Sequence, residues 1–509
     1  MENINLQIPE DALSYIAPIG EFVPYTFNVT VVSRGGFPSN AVEVRSASSL
    51  TAYLHRRRDS PGDLRVLTIL ICTGYSYYAS GYSLTPEFYQ ALITRCWRRS
   101  GTLLYRPNQK SACCPHYTLR LDSTQFKSTR DQRQAVNRFN RFVIGDEYAK
   151  EAARRYPLTR EQARARDSQF DLVERIHESE SEKLKHPPQP AHQFQVTLEP
   201  DDFTEEKFAV FENYQSTVHG ESASSISKKG FKRFLCNSPI KRGIYTDANG
   251  KQRQVGSFHQ CYRLDGKLVA VGVLDLLPEA VSAVYFMYHE SIHKHQPGKL
   301  GALREIALAM EGGYRYWWAG YYIHSCPKMR YKIDYHPQYV LDPEALTWDL
   351  LDEETLAIFD KKHYVSLSKE RRGRVEGKRT VDNTVEDGVD NHDTNEDGND
   401  EKVDQGAGDS SVESPGADIE DEDDDISLFH SDMPGIKSIT ELESIDLDHI
   451  RVLSDNTGEF FYTGEASIWD RSSIRDVGSL KSRIAELAAA IGPDLLPQVC
   501  LDFRRKSRI

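Results

Sequence analysis

The stretch YYIHSCPKMRYK, residues Tyr321–Lys332, places aromatic, imidazole, thiol and cationic side chains in consecutive positions. Its first three residues have the aromatic and β-branched composition of a strand, which Pro327 should end or confine to a sheet edge. In an extended segment Lys328, Arg330 and Lys332 would lie on one face. A cationic face beside aromatic rings suits an anionic ligand with stackable rings, such as the end of an RNA strand. An ordinary strand end with a solvated basic edge is the alternative.

Composition separates the chain into a folded part and an acidic part. The 509 residues allow two or three domains. The net charge of −13 argues against a nucleic-acid partner only on average, because the acidic residues are concentrated in Glu386–Asp425. That composition cannot bury a core and predicts disorder. We therefore expect a disordered acidic region over 366–425 and a tail with a C-terminal helix over 426–509.

No apolar run is long enough to span a bilayer, and the N-terminus shows no secretory pattern, so we expect no membrane contact. The eight cysteines are then expected to be reduced thiols or ligands rather than disulfides. The expected location is cytoplasmic, with the nucleus also open.

The segment Thr85-Pro86-Glu87 predicts the start of a helix, with a capping threonine, a first-turn proline and an acid at the positive helix end. Gly101 is the predicted stop. Arg95, Arg98 and Arg99 would then lie in the last turn, where they either complement the helix dipole or contact phosphate groups.

Cys113 and Cys114 are adjacent and precede Pro115. Neighbouring cysteines rarely form a disulfide with each other, because the geometry is strained. Two thiolates on a tight turn can contribute to a metal or cluster site, and a structural role is the alternative.

The charged segment 148–193 ends in HPPQPAH and predicts a helical linker with an extended proline stretch. A second domain is expected over 194–350, with a helix from Thr204 through Tyr214. Lys232 and Arg233 belong to a basic cluster with interleaved phenylalanines. This cluster is either a surface for a nucleic-acid backbone or a solvated helix face.

Asp265-Gly266 is a strong hairpin signal between two apolar strands, and Gly272 predicts a bulge or a close backbone approach. The strand Ala280–Tyr288, a glycine-containing loop at 295–300, the helix Gly301–Met310 and a last strand follow. This order fits an α+β acyltransferase core of the GNAT type, in which a loop-to-helix start cradles phosphates.

Several blocks resemble the eukaryotic arginyl-tRNA–protein transferases. SLTPEFYQ, RCWRRSG, LYRPN and CCPHYTLRLD look like that family's N-terminal domain. GSFHQCYRLDGKLVAVGVLDLLP, SAVYFMY, GKLGALREIAL and IHSCPKMRYK then follow in the family's order. The resemblance implies a small cysteine-containing N-terminal domain at 72–147 and a GNAT-like catalytic domain at 194–350. It also implies a fungal-type member whose residues 1–71 are unassigned, either lineage-specific or incorrectly predicted.

In that family four cysteines, a C-x-x-C pair and an adjacent pair, bind a metal or an iron–sulfur cluster. The adjacent pair here is Cys113 and Cys114, whereas the C-x-x-C is absent and Cys72 stands alone. The resemblance therefore implies an iron–sulfur cluster or zinc, at a site that is incomplete in this sequence.

The reaction that the resemblance implies is attack of an α-amine on an aminoacyl ester, which positioning and charge complementarity accelerate. Asp275 is the first candidate for the base or for holding the amine, with a plain β-turn acid as the alternative. Tyr285 and His324 are further candidates for the catalytic site, and Tyr322 is expected to bind substrate.

Three recognition tasks supply the remaining candidates. The guanidinium of the donor arginine needs a carboxylate, for which Glu305 and Glu290 are candidates. The candidates for binding the acidic acceptor or the tRNA end are Lys299, Arg304, Lys328 and Arg330, and those for the tRNA body are Arg98, Arg99, Lys232 and Arg233.

The resemblance implies transfer of arginine from Arg-tRNA to proteins that begin with Asp or Glu, which creates a degradation signal for ubiquitin ligases. The expected partners are Arg-tRNA and these acceptors, and the expected state is a monomer. One rival is a non-catalytic tRNA-binding or metal-sensing protein that lost its cluster site. Another is an acyltransferase that uses acyl-CoA, which would need a better phosphate loop than Gln296–Gly301.

Overall fold

The structure is a computed structural model that describes residues 14–18, 23–24, 75–382, 427–454 and 459–504. Cys72, most of the unassigned region 1–71 and the acidic tract Glu386–Asp425 lie outside the described residues. The described chain combines helices with largely antiparallel sheets, which confirms the α+β class.

The strands are β1 Ser14–Pro18, β2 Val23–Pro24, β3 Tyr75–Ser83, β4 Arg98–Ser100, β5 Leu103–Pro107, β6 Tyr117–Asp122, β7 Phe194–Pro200, β8 Gly243–Thr246, β9 Gln252–Leu264, β10 Lys267–Leu276, β11 Ala280–Tyr288, β12 Tyr316–Trp318, β13 Tyr321–Tyr322, β14 Gln338–Leu341, β15 Trp348–Leu350, β16 Arg451–Leu453, β17 Phe461–Tyr462 and β18 Val499–Asp502. The α-helices are α1 Pro86–Ile93, α2 Arg130–Ile144, α3 Asp146–Arg155, α4 Arg160–Ser168, α5 Leu172–His177, α6 Glu205–Tyr214, α7 Lys228–Phe231, α8 Pro297–Gly312, α9 Glu353–Phe359, α10 Leu367–Asp382, α11 Ile439–Leu442 and α12 Leu480–Ile491.

The larger sheet has the strand order β15-β14-β6-β12-β11-β10-β9-β7, with β13 paired to β6 and β8 paired to β9. Helices cover both of its faces. Leu274 and Leu276 of β10 pack with α8, whereas Val271 and Val273 pack with α6 and α7. Because side chains alternate along a strand, neighbouring residues of β10 belong to opposite helical layers.

The hairpin between β9 and β10 confirms the prediction at Asp265-Gly266. The two residues have φ angles of 51° and 76°, as a two-residue turn of type I′ requires. Register shifts lie on both sides of Gly272: the β9–β10 pairing skips Val269, and the β10–β11 pairing skips Val284. The extra residue Val284 lies in the strand that runs parallel to β12.

The smaller sheet joins the two ends of the described chain, in the order β17-β16-β18-β1-β3-β5-β4 with β2 paired to β3. Ile484 of α12 shares one core with Tyr77 and Trp97. The guanidinium of Arg106 donates to the carbonyl of Ala490 at 2.6 Å and to that of Pro434 at 2.8 Å. The predicted C-terminal helix is therefore confirmed, and it completes the core of the N-terminal strands.

Helix α1 is shorter than predicted. Thr85 caps it as expected, since its hydroxyl accepts from the amide of Phe88 at 3.2 Å. The helix ends at Ile93, and the left-handed φ of 66° at Cys96 turns the chain into β4. Arg98 and Arg99 consequently lie on a strand, not in a helical turn.

Two segments predicted as irregular are helical. Helix α8 begins at Pro297, so residues 297–300 form its first turn and not a loop. Helix α10 occupies Leu367–Asp382, inside the region predicted to be disordered. The amide of Ser368 donates to Asp342 Oδ2 at 2.8 Å, which anchors the start of α10. The prediction of disorder is therefore wrong for this part of 366–425.

The position of α12 gives a stability test. Ile484 is 1% exposed, so Ile484→Ala should lower the free energy of unfolding by about 2–4 kcal/mol, as truncations of buried aliphatic side chains do. Denaturant unfolding of the full chain measures the loss. The exposed control Arg475→Ala should change it by less than about 1 kcal/mol. Equal values for the two variants would mean that the tail is not part of this core.

Candidate functional site

The signature stretch is largely a 3₁₀ helix. Strand β13 ends at Tyr322, and Pro327 begins a 3₁₀ segment that runs to Asp334. The predicted common face of Lys328, Arg330 and Lys332 is therefore wrong, because side chains of a 3₁₀ helix repeat every three residues and not every two. Lys328 and Arg330 are exposed, whereas Lys332 turns inward.

An open cleft of about 510 Å³ lies between this 3₁₀ segment, the start of α2 and the first turn of α8. The lining residues include Asp131, Gln132, Lys299, Tyr331, Tyr335 and His336. Lys299 forms an ion pair with Asp131 there. The predicted substrate-binding residue Lys299 thus borders the cleft, with a carboxylate already beside it.

Glu305 is a buried carboxylate of α8, the helix whose first turn borders this cleft. It is 3% exposed, and its Oε2 accepts a hydrogen bond from Trp317 Nε1 at 2.8 Å. A Cβ atom added to Gly272 would lie 3.5 Å from Glu305 Oε1, so the Glu305 carboxylate packs directly against the backbone of β10 at this glycine. Burial raises the pKa of Glu305 to about 7, against the opposing effects of Trp317 and Lys332. The carboxyl is therefore balanced between its acid and base forms near neutral pH.

Lys332 provides a cation close to Glu305. Its Nζ donates to the carbonyl of Tyr321 at 2.6 Å and lies 3.7 Å from the position of a Cβ on Gly320. Burial and the charge of Arg98 lower the pKa of Lys332 to about 8, while Glu305 acts in the other direction. A carboxyl and an amine that both titrate near neutrality are typical of a proton-transfer site.

Sequence reasoning named Glu305 only as a partner for a guanidinium, and it did not include Lys332, Trp317 or Tyr331 among the site residues. Burial decides their chemistry, and burial is not readable from residue type. Tyr331 lines the cleft and is 50% exposed, and partial desolvation together with the charge of Glu305 raises its pKa. Membership of the signature stretch was the one signal that pointed to Lys332 and Tyr331.

Tyr285 lies on β11, next to the extra residue Val284. Its hydroxyl donates to Gln215 Oε1 at 2.9 Å and lies 3.4 Å from His219 Nε2. Burial raises the pKa of Tyr285, so the hydroxyl remains protonated over the neutral range. Tyr285 can therefore act as a hydrogen-bond donor or acceptor, but not as a base.

Tyr322 and His324 fix the end of β13. His324 Nδ1 lies 2.7 Å from the Tyr322 hydroxyl, and His324 Nε2 lies 2.8 Å from Asp360 Oδ1. Tyr322 is fully buried and packs with Tyr117. The Tyr322 hydroxyl and both nitrogens of His324 therefore already have partners within the protein, and substrate binding by Tyr322 and catalysis by His324 stay predictions.

Arg304 does not face the cleft. It is 4% exposed, forms an ion pair with Glu180, and donates to the carbonyl of Ile176 at 2.5 Å. Consecutive residues of a helix point about 100° apart, so Arg304 faces α5 while Glu305 faces the sheet. The prediction that Arg304 binds substrate is wrong, because its guanidinium is used to join α8 to α5.

Asp275 is a structural residue. It is 0% exposed, and Arg99 is 5% exposed. Arg99 Nε donates to Asp275 Oδ2 at 2.8 Å and Nη2 donates to Oδ1 at 2.6 Å, and Ser257 Oγ donates to Oδ1 at 2.5 Å. Asp275 alternates with Leu274 and so lies on the sheet face opposite Glu305. The predicted roles of Asp275 as base and of Arg99 as a tRNA contact are wrong, because the two charges neutralise each other inside the protein.

The other predicted tRNA contacts divide into two groups. Lys232 and Arg233 are exposed, and Lys232 Nζ lies 4.2 Å from the centre of the Phe203 ring, so they are accessible to a large ligand. Arg98 is 7% exposed. A surface contact of Arg98 with tRNA is therefore wrong, because β4 turns its side chain inward.

The adjacent cysteines do not form a complete metal site among the described residues. The Sγ atoms of Cys113 and Cys114 are 3.7 Å apart, well beyond the ~2.05 Å of a disulfide. The described part of the chain contains no group of three or more His, Cys, Asp or Glu residues that could hold a metal ion. Structural zinc needs four ligands, as do the common iron–sulfur clusters, so the residues described here do not fit either group.

Two family models match the chain. The model described as "Arginine-tRNA-protein transferase, N terminus" matches residues 46–134, and the model described as "Arginine-tRNA-protein transferase, C terminus" matches residues 206–342. Two separate regions of the chain are therefore similar to the two halves of the arginine-tRNA-protein transferases. The C-terminal match contains β9 to β13, α8 and the whole signature stretch, and hence Glu305 and Lys332. The N-terminal match begins within the region that sequence analysis left unassigned.

Curated relatives agree with this family. Arginyl-tRNA--protein transferase 1 of Saccharomyces cerevisiae is 29% identical over 309 residues, covering 58% of this chain and 55% of the yeast protein. The Drosophila melanogaster protein of the same name is 26% identical over 402 residues, covering 59% of this chain and 82% of the fly protein. Aspartate/glutamate leucyltransferase of Pseudomonas fluorescens (strain Pf0-1) is 34% identical over 137 residues, covering 26% of this chain and 52% of the bacterial protein.

Among solved structures, L-PGS from Bacillus licheniformis matches 40% of this chain and 45% of its own, with 12% identity and a TM-score of 0.22. Similarity at that level does not support a fold assignment. Within the described ranges, no helix is long and apolar enough to cross a membrane.

The Arg99–Asp275 pair can be tested by unfolding. Asp275→Asn leaves the buried Arg99 charge without its partner, so it should lower the free energy of unfolding by about 3–5 kcal/mol. The control Glu147→Gln disrupts an exposed ion pair with Lys150 and should cost less than about 1 kcal/mol. A stable Asp275→Asn variant would show that the pair is not needed to hold the two sheets together.

Glu305 should destabilise the fold at neutral and alkaline pH. Its folded-state pKa is raised from 4.5 to about 7. The free energy of unfolding is therefore not reduced by Glu305 below pH 4.5. It falls as the pH rises from 4.5 to 7, because the unfolded chain releases this proton before the folded chain does. Glu305→Gln should exceed the wild type in free energy of unfolding at pH 8 by up to about 3 kcal/mol. The difference should shrink toward pH 4.5. Urea titrations across this range measure it, and a pH-independent difference would contradict the raised pKa.

Proposed function

We propose that this chain transfers arginine from arginyl-tRNA to the amino terminus of acceptor proteins. The observation that carries the proposal is the Glu305–Lys332 pair, a carboxyl and an amine with pKa values near neutrality on the helix and the 3₁₀ segment that border the cleft. Both residues lie within the part of the chain that matches the family's C-terminal model. The names of the yeast and fly relatives support the same reaction.

The chemistry needs a weak base and good positioning. The acceptor's α-amine nitrogen attacks the ester carbonyl of the arginyl group and forms a peptide bond. The ester bond to the terminal ribose breaks, and the ribose oxygen leaves with a proton. An α-amine has a pKa of roughly 8, so Glu305 as the general base need only take one proton from it as the bond forms. In this mechanism Glu305 passes the proton to the departing oxygen and returns to its carboxylate form.

We assign a GNAT-like arrangement to the catalytic part, proposed to extend over 194–350. Parallel pairing of β11 with β12 extends only over Ala280–Ser282, while β11 itself continues to Tyr288. The unpaired half of β11 and the extra residue Val284 support a gap between the strands. In the proposed arrangement the arginyl ester enters this gap, and the start of α8 faces the tRNA end.

Exposed cations of the described chain suit the tRNA. Lys328 and Arg330 of the 3₁₀ segment and Lys232 and Arg233 near α7 are exposed. Phosphate contacts by such side chains supply affinity that weakens with salt. We assign all four to tRNA contact, with Arg330 held in place by a 3.3 Å hydrogen bond from its Nε to the carbonyl of His324.

The acceptors are proteins that begin with Asp or Glu. The printed name of the Pseudomonas relative specifies aspartate and glutamate, and that protein is 34% identical to this chain over 137 residues. Addition of arginine to such proteins would create a degradation signal read by ubiquitin ligases. No step of this mechanism uses a metal or cluster at Cys113 and Cys114.

A transfer assay tests the function. Charged Arg-tRNA and a peptide that begins with Asp should give an arginylated product by mass spectrometry, and a peptide that begins with Met should not. For the wild type kcat/KM should rise as the pH passes about 7, where Glu305 loses its proton, and decline above about 8, where Lys332 loses its own. Glu305→Gln should lower kcat/KM by about 100-fold, the usual contribution of a general base.

The matched control is Glu290→Gln, an exposed carboxylate, and it should keep the wild-type rate and pH profile. Binding of Arg-tRNA without any transfer by the wild type would favour a non-catalytic tRNA-binding protein. Transfer at the wild-type rate by Glu305→Gln would remove Glu305 from the mechanism while leaving the activity itself in place.

A further inference from the structure

Arg98 is a buried cation that has no ion-pair partner among the described residues. It is 7% exposed, and its Nη1 donates to the carbonyl of Trp97 at 3.0 Å. Its Nε and Nη2 are buried and have no hydrogen-bond partner among the described residues. The neighbouring Arg99 uses the carboxylate of Asp275. Two nitrogens of Arg98 are thus free for a ligand.

Lys332 is a second inward-facing cation without a carboxylate partner within the described ranges. Tyr321 connects the two cations: its carbonyl accepts from Lys332 Nζ at 2.6 Å, and the guanidinium carbon of Arg98 lies 5.0 Å from the centre of its ring. Arg98 is close enough to Lys332 for its charge to lower the lysine's pKa. The two like charges thus contact opposite ends of one residue, Arg98 at the ring of Tyr321 and Lys332 at its carbonyl.

This arrangement is costly unless an anion completes it. A buried charge without a partner loses its hydration and gains little in return, and a second charge of the same sign adds repulsion. The tilted ring of Tyr321 offers Arg98 only a partial substitute. A planar carboxylate would accept from Arg98 Nε and Nη2 together, in the fork geometry that guanidinium groups favour.

We propose that Arg98 and Lys332 bind the side-chain carboxylate of the acceptor's amino-terminal Asp or Glu. The inference rests on the proposed function, and it adds the specificity-determining residues. In an amino-terminal Asp or Glu the side-chain carboxylate and the α-amine lie only a few bonds apart. A carboxylate held beside Lys332 would bring the amine toward Glu305, which Lys332 already attracts electrostatically. The same site would then bind the acceptor's side-chain carboxylate and place its α-amine near Glu305, the proposed general base.

A tRNA phosphate is the less suitable anion for this pocket. Arg98 lies on β4 with its unpartnered nitrogens buried, whereas a polynucleotide backbone needs an open track. The exposed cations Lys328, Arg330, Lys232 and Arg233 already supply such contacts. The pocket suits a single small carboxylate at the end of a chain.

Peptide binding without tRNA tests the pocket separately from catalysis. The fluorescent peptides begin with Asp, Glu or Asn, and the Asn side chain is uncharged but close in size to the acidic ones. Their Kd values for the full chain are measured by fluorescence anisotropy. Wild type should bind the Asp and Glu peptides at least about 10-fold more tightly than the Asn peptide, since charge-assisted hydrogen bonds contribute more than 1.4 kcal/mol. Arg98→Met and Lys332→Met should each abolish that preference and leave the Kd for Arg-tRNA unchanged.

Matched controls use exposed residues of the same type. Arg164→Met on α4 and Lys267→Met at the β9–β10 turn should retain the preference for acidic peptides. Arg98→Lys keeps the charge but loses the fork, so its preference should be intermediate. Arg98→Met should also raise the Tm of the unliganded chain, because it removes a buried charge that lacks a partner. If a Met variant does not fold, the wild-type comparison of Asp and Asn peptides and the Arg98→Lys variant decide the question.

The outcomes separate the pocket from the activity. Equal binding of Asp and Asn peptides by the wild type would overturn the proposal. Weaker Arg-tRNA binding by Arg98→Met or Lys332→Met, with the peptide preference kept, would also overturn it and assign the pocket to a phosphate. Selective binding of acidic peptides by a wild type that transfers no arginine would support the pocket and reject the proposed function.

Discussion

The ion pair between Arg99 and Asp275 is the constraint on which the site depends. It is bidentate and almost fully buried, and it joins β4 of the smaller sheet to β10 of the larger one. Removing either partner would leave a buried charge uncompensated, so the pair permits only one placement of the two sheets. Because side chains alternate along a strand, anchoring Arg99 toward Asp275 turns the neighbouring Arg98 toward Tyr321. The Arg99–Asp275 pair thus holds the two sheets together and also orients the Arg98 side chain toward the site.

The site combines burial with incomplete charge neutralisation. Glu305 lies on α8 with a hydrogen bond from Trp317 as its one neutral partner in the described structure, and Lys332 has only a carbonyl. Burial of Glu305 and Lys332 lowers the stability of the free protein, and the same burial moves both pKa values toward neutrality. The surrounding layers offset this cost: α8 packs on one face of the larger sheet, and α6 and α7 pack on the other. Enzymes commonly combine a well-packed core with a buried polar site that lowers stability.

The ends of the described chain form one core. Strand β18 pairs in parallel with β1, and α12 packs against Tyr77 and Trp97. Arg106 donates to carbonyls of the tail at both Ala490 and Pro434. The residues after the acidic tract therefore act as a structural part of the region that positions Arg98 and Arg99.

Sequence patterns predicted correctly the elements whose conformation depends on interactions within a few residues. The cap at Thr85, the turn at Asp265-Gly266, the strand Ala280–Tyr288 and the last helix follow from capping, turn chemistry and hydrophobic period, which act within a few residues. The specific string of the signature stretch, together with the other blocks, indicated the family. The same rules failed where a distant contact decides the conformation. Arg98 and Arg99 fit a helix end by spacing, but the left-handed Cys96 and the pairing with β5 place them on a strand.

Residue identity and short-range pattern were enough to predict the α+β class, the resemblance to the transferases and the region that carries the chemistry. Only the tertiary structure decided which charged residues are structural and which are poised for chemistry. Asp275 and Glu305 are both acids in apolar surroundings by sequence, yet one meets Arg99 and the other meets no cation at ion-pair distance in the described chain. The strand period and the helical layers assign them to opposite faces of the sheet. The pKa of a carboxyl depends on the atoms around it, and those atoms come from segments far apart in the chain.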